Sequence, residues 1–135
     1  MKKIKKLFVF VLMPRHSDFE AVYKTGIKSA CFAVRADCER ADNQIFIENR
    51  LELFRQQIAK ADIIVSDMTG CNPDVFYETG YAHALKKQVI LLAQNENDIP
   101  FDLKYYPHII YNDNLLQLKA ELEQRLTWHD SMQFL

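Results

Sequence analysis

Short apolar runs separated by longer amphipathic stretches are what most narrows the folds open to this chain. Leu7-Phe8-Val9-Phe10-Val11-Leu12 is unbroken, as expected of a strand covered on both faces. Asp37 to Ala41, Asp62 to Asp67, Val89 to Leu92 and His108 to Tyr111 read as four more strands. The stretches between them follow a helical period. Ser17-Asp18-Phe19-Glu20 reads as a capping box, opening a helix with Val22, Ile27, Ala30 and Val34 on its inner side. Asn43 to Asn49 is loop or helix entry, leading into a second helix through Leu51, Phe54, Ile58 and Ala61. Asn72-Pro73 starts a third, with asparagine as cap and proline in the first turn. It is expected to reach about Lys87, placing Lys86 and Lys87 at the negative end of its dipole. Leu115, Leu118, Leu122 and Leu126 mark a closing helix, and Trp128 to Leu135 a tail without clear periodicity.

Strands alternating with helices require right-handed crossovers and a parallel sheet. Five strands in 135 residues therefore predict an α/β fold, a flavodoxin-like three-layer sandwich with a five-stranded parallel sheet, as a single domain over residues 1–135. Such sheets bind ligands beyond the carboxyl ends of their strands, where the strand order reverses. Met13-Pro14-Arg15-His16 follows the first strand and Asp67-Met68-Thr69-Gly70 the third, so both belong to that rim.

Composition narrows the partners. A net charge of -1, with 26% charged residues, gives no general attraction to nucleic acid or to anionic lipid. The basic start Met1 to Lys6 precedes an apolar run, but Pro14-Arg15-His16 stands where a signal peptide needs small residues. That run is also far short of the ~20 residues that span a bilayer. Cys31, Cys38 and Cys71 are odd in number and show no C-x-x-C spacing, which reads as free thiols in a reducing compartment and a cytoplasmic protein. The four histidines are scattered, so neither a metal site nor a cofactor is expected.

On a 3.6-residue period, Val75, Tyr81, Ala82 and Leu85 form the stripe of the third helix that faces the sheet, and Glu78 falls among them. A glutamate is rarely buried without a partner, because desolvating its charge is costly. Opening into a cleft at the sheet edge, it would serve as nucleophile or base. The competing explanation is a salt bridge to a cleft-edge residue such as Arg15. Asp67 is the natural second acid, while Asp74 suits the helix dipole. Gly80 implies either tight packing or room for a ligand. Tyr77 and Tyr81 flank the acid as candidate substrate contacts or as core aromatics.

The stretch Ala61-Asp62-Ile63-Ile64-Val65-Ser66-Asp67 through Asn72-Pro73-Asp74-Val75-Phe76-Tyr77-Glu78-Thr79-Gly80-Tyr81-Ala82 resembles the nucleoside 2-deoxyribosyltransferase-like superfamily, which includes deoxynucleoside-monophosphate N-glycosidases. The shared pattern is A-D-x-x-x-x-D, a short loop, then Y-E-x-G-x-A. With Phe8 to Pro14 and Val89 to Leu92, the similarity covers most of the chain. It implies Glu78 as the nucleophile at an anomeric carbon and Asp67 as the acid that helps protonate the base. A small-molecule nucleoside or nucleotide is the implied partner, with Asn72, Tyr77, Tyr81, Met13, Arg15 and Asp42 as substrate-binding candidates. A homodimer is implied too, since relatives often complete the pocket with a neighbouring subunit.

There are departures. Asn72 stands where some transferases carry an aspartate, and it cannot donate a proton as an acid would. Thr79 replaces a leucine, which reads as a packing change. The glycine-rich phosphate loop is missing after strand one, leaving Arg15 as the residue there that could meet a phosphate. Glu78 would equally fit the catalytic glutamate of TIR-like domains that cleave NAD. A third class is a non-catalytic module that binds a nucleotide or signals through self-assembly.

Overall fold

The computed structural model of the chain describes residues 5–41 and 47–132, with residues 47–50 by backbone alone. Its strands are β1 (Phe8–Leu12), β2 (Asp37–Arg40), β3 (Ile63–Asp67), β4 (Gln88–Ala93) and β5 (His108–Ile110). Its α-helices are α1 (Ser29–Ala33), α2 (Ile47–Lys60), α3 (Pro73–Ala84) and α4 (Leu115–Met132). All neighbouring strands are parallel, in the order β2-β1-β3-β4-β5. The flavodoxin-like sandwich read from the sequence is therefore the observed architecture.

Two apolar layers hold the sheet. On one side Val9, Val11, Ile63, Val65, Ile90 and Leu92 pack against Ile27, Ala30, Leu118, Leu122 and Leu126. On the other Phe10, Leu12, Ile64, Val89 and Leu91 meet Phe54, Ile58, Val75 and Ala82. Alternate strand residues thus feed opposite layers, and burying each large side chain contributes roughly 1.5–3 kcal/mol. Among the described residues no helix is long and apolar enough to cross a membrane.

Several local expectations are corrected. The capping box does not form. His16 caps a 3-10 turn at Ser17–Phe19 through Nδ1, and Glu20 turns away to pair with Arg40 at 2.9 Å. The long-range charge outcompetes the short-range backbone contact. Between this turn and α1 the chain winds as a π-helix over Val22–Lys28. Helix α3 stops at Ala84 because Lys86 adopts a left-handed conformation (φ 59) and Lys87 N–H closes back on Ala82 O. Lys87 instead donates from Nζ to Ala59 O in the last turn of α2 and to Ala61 O just beyond it, at 2.6 and 3.0 Å. Leu51 and Leu85, expected inside, are 52% and 42% exposed. Helix α4 continues through the supposed tail to Met132, while Phe134, Leu135, Asp42 and residues 43–46 lie outside the described residues.

Gly26 is where the π-helical segment touches α4. A Cβ built there would lie 2.6 Å from Leu118 Cδ2, and Leu118 is fully buried. Gly26→Ala is expected to cost about 1–3 kcal/mol by overpacking, against which the better helix propensity of alanine returns at most ~1 kcal/mol. Urea denaturation checks the net loss; a gain in stability would show that Leu118 repacks freely.

Candidate active site

The strand order reverses between β1 and β3, so the loops that follow these two strands enclose the switch point. There lies a hollow of about 70 Å³, lined by Met13, Pro14, Arg15, Ala41, Asn72, Asp74, Val75 and Glu78. It adjoins a second hollow of about 100 Å³ that shares Met13, Pro14, Arg15 and Ala41 and adds His16, Ser17, Glu20 and Arg40. Small-molecule sites usually occupy ~300 Å³ or more, which is more than the two hollows hold together. Glu78 forms the acidic end of this trough, together with Asp74. His16, Arg40 and the acid Glu20 line the other, and Arg15 borders both hollows.

Each side chain is placed by its own element. Pro73 and the Asn72 cap fix the start of α3, where Asn72 Oδ1 accepts from the N–H groups of Asp74 and Val75 at 2.9 and 3.2 Å. One and a half turns later Glu78 lies on the sheet-facing side and is 9% exposed. Its neighbour Thr79 is 1% exposed. Thr79 Oγ1 donates to Val75 O at 2.6 Å and lies 2.5 Å from Ser66 Oγ on β3. The substitution that read as packing is thus a polar tie between helix and strand, one residue from Glu78. Thr79→Val is expected to cost about 1–3 kcal/mol, because it strands the Ser66 hydroxyl in the core. Ser66→Ala with Thr79→Val should cost clearly less than the sum of the two single changes. Simple additivity in a denaturation double-mutant cycle would refute the tie.

Asp67 does not join the hollow. Strand alternation puts it on the same side as Ile63 and Val65, the face opposite Ser66 and α3. It is fully buried there. Its Oδ2 accepts from Tyr111 Oη at 2.7 Å and its Oδ1 from Thr69 N–H at 3.0 Å. Thr69 Oγ1 in turn accepts from Gln94 N–H at 2.9 Å. Burial pushes the Asp67 carboxyl above its ordinary value, against the hydrogen bonds of Thr69 and Tyr111, which favour the ionised form. The structure therefore makes Asp67 the anchor of the loop that carries the chain into α3, and does not bring it beside Glu78.

The other candidates divide. Met13, Arg15 and Asn72 line the hollow with Glu78. Arg15 is exposed, its guanidinium 5.6 Å from the Phe54 ring centroid. Tyr77 is 60% exposed and Tyr81 half-buried beneath Arg55, and neither is among the lining residues. Gly80 faces open space, with nothing within 4 Å of an added Cβ. Tight packing therefore does not explain it. Gly80→Ala is expected to raise stability by up to ~1 kcal/mol in thermal unfolding; a loss would mean the position is not open. Arg40 and Ala41 were missed by motif reading, although both follow from the rule that placed the other rims, being at the carboxyl end of β2. Among the described residues no cluster of histidine, cysteine or acid could hold a metal ion.

No protein-family model matches the sequence, and no curated protein matches it. Solved structures do. A CMP N-glycosidase from Clostridium botulinum aligns with TM-score 0.57 at 20% identity, over 90% of this chain and 98% of its own. A 2-deoxyribosyltransferase from Bacillus psychrosaccharolyticus aligns with TM-score 0.61 at 17% identity, over 86% of this chain and 90% of its own. At these identities the likeness establishes the fold. It agrees with the resemblance carried by residues Ala61 to Ala82.

Proposed function

We propose that the chain cleaves the N-glycosidic bond of a nucleoside or nucleotide, with Glu78 as the nucleophile. The observation that carries this reading is a glutamate held on the buried face of α3, yet lining the hollow at the switch point. The likeness to an N-glycosidase and a deoxyribosyltransferase supports the same chemistry.

In this reading a Glu78 carboxylate oxygen attacks the anomeric carbon. The C–N bond breaks, and its electron pair leaves with the base. The sugar is then held as an ester of Glu78 until water or a second base displaces it, restoring the carboxylate. Arg15 and the amide nitrogen of Asn72 are the donors that hold sugar or phosphate oxygens. Asp67 acts on the reaction through the loop it anchors. The departing base takes its proton from the open side of the hollow, where Asp74 is the second carboxyl.

The test is a panel of nucleosides, nucleoside monophosphates and NAD, incubated with the protein and resolved chromatographically. Free base from one nucleoside class is expected. Nicotinamide release from NAD alone would move the protein to the NAD-cleaving class. Thermal stabilisation by a nucleotide without turnover would make it a binding module. Either result overturns the proposal.

A further inference from the structure

The wall of the hollow at the start of α3 sets a hydrogen-bond donor beside the Glu78 carboxylate. Gly70 (φ 76) and Cys71 (φ 53) turn the chain left-handed into Asn72, which caps α3 and lines the hollow. Both bonds of the cap use Oδ1, which accepts from Asp74 N–H at 2.9 Å and from Val75 N–H at 3.2 Å. The amide is thereby held in one sense. Exchanging its two ends would set an NH₂ against two N–H donors, so Nδ2 is the end turned off the helix. Among the described residues nothing accepts from Nδ2. Its two N–H groups are left for a ligand.

The size of the hollow limits what can meet them. At about 70 Å³ it is too small for a whole nucleoside, so the atoms that enter beside Glu78 are the anomeric carbon and its own neighbours. Those neighbours are the ring oxygen, the base nitrogen and C2′. A ring oxygen only accepts, and a CH₂ at C2′ neither donates nor accepts. A hydroxyl on C2′ does both.

Resting on the glycosidic reading of Glu78, we propose that the substrate sugar carries a 2′-hydroxyl, and that Asn72 selects it. The substrate class is then a ribonucleoside or ribonucleotide. One Glu78 oxygen attacks C1′, and the other accepts from the 2′-hydroxyl, a bond that strengthens in the transition state. Asn72 Nδ2 donates to the same hydroxyl oxygen. A 2′-deoxy sugar offers neither contact and leaves the half-buried Asn72 amide without an acceptor. An aspartate at this position would cap α3 equally well, but it would face the hydroxyl with a second acceptor.

The experiment pairs each ribonucleoside and its 5′-monophosphate with the 2′-deoxy counterpart. Base release is measured on the wild-type protein, and binding to Glu78→Gln by calorimetry. The ribo compound should be favoured by about 10- to 100-fold in kcat/KM, the worth of a hydrogen bond to a charged group. It should also bind Glu78→Gln more tightly. Asn72→Asp keeps the cap and removes the donor, so the ribo-to-deoxy ratio should fall toward unity whatever the absolute rate does. A role in capping alone would scale both sugars alike. Equal or better cleavage of the deoxy compounds overturns the inference and leaves the glycosidic reading standing, as does an unchanged ratio in folded Asn72→Asp. Absence of base release from every compound defeats the glycosidic reading, and calorimetry then decides the sugar. Equal or tighter binding of the deoxy compounds, or no binding of either, overturns the inference there too.

Discussion

Glu78→Gln is expected to abolish base release, lowering kcat by about 10³-fold or more, while the protein stays folded. The amide preserves the size of the side chain and its place on α3, but a neutral amide oxygen is a poor nucleophile toward an anomeric carbon. Because an attacking group and a group that merely holds substrate differ in what they change, the loss should fall on kcat and leave KM nearly unmoved. Circular dichroism and urea denaturation must accompany the assay, since Glu78 is buried and its replacement could act through the fold. A folded Glu78→Gln protein that keeps a tenth or more of wild-type turnover would rule out the nucleophile role. That result would leave the sandwich and the trough as described, and the search for the reacting group would shift to Asp74.

Asp67→Asn should have a smaller but more diagnostic effect, on stability and its pH dependence. An asparagine keeps one acceptor for Thr69 N–H, but it turns an NH₂ toward Tyr111 Oη. The phenol must then accept, and its own proton is left with Thr69 Oγ1 at 3.4 Å. One weakened buried hydrogen bond costs about 1–3 kcal/mol. The folded state holds the Asp67 proton more tightly than the unfolded chain does, because burial raises its carboxyl above the ordinary 3.8. Above that value, until the raised titration is complete, the folded state binds more protons, so the Asp67 contribution falls as pH rises. Asparagine does not titrate. The penalty for Asp67→Asn should therefore be largest in acid and shrink toward neutral pH, read as the difference between the two proteins' urea curves. A penalty that grows with pH would mean the ionised form is the one the fold favours. Base release should fall far less than in Glu78→Gln, because Asp67 does not line the hollow and is held instead by Tyr111 and Thr69.

Leu7 to Leu12 is a continuous apolar run and Ile63 to Val65 an apolar strand centre, and five strand segments between helical periods leave few alternatives to a parallel sheet. Glu78 was legible for the same reason, as a charge in an apolar helical stripe, and the rim rule located its hollow. Asp67 shows the limit. A strand buried on both faces carries no alternation between apolar and polar positions, so nothing local says which face a terminal acid takes. Its partner Tyr111 lies 44 residues away. Glu20 fails similarly: its local pattern reads as a cap, and only the return of β2 brings Arg40 close enough to claim it.

Periodicity and turn chemistry are encoded in adjacent residues, so the chain by itself determined the order of its elements, the three-layer stacking and the helix face that holds Glu78. Contacts between distant segments are decided by how twisted layers meet. That step alone kept Asp67 out of the hollow that Glu78 lines and tied Thr79 to Ser66.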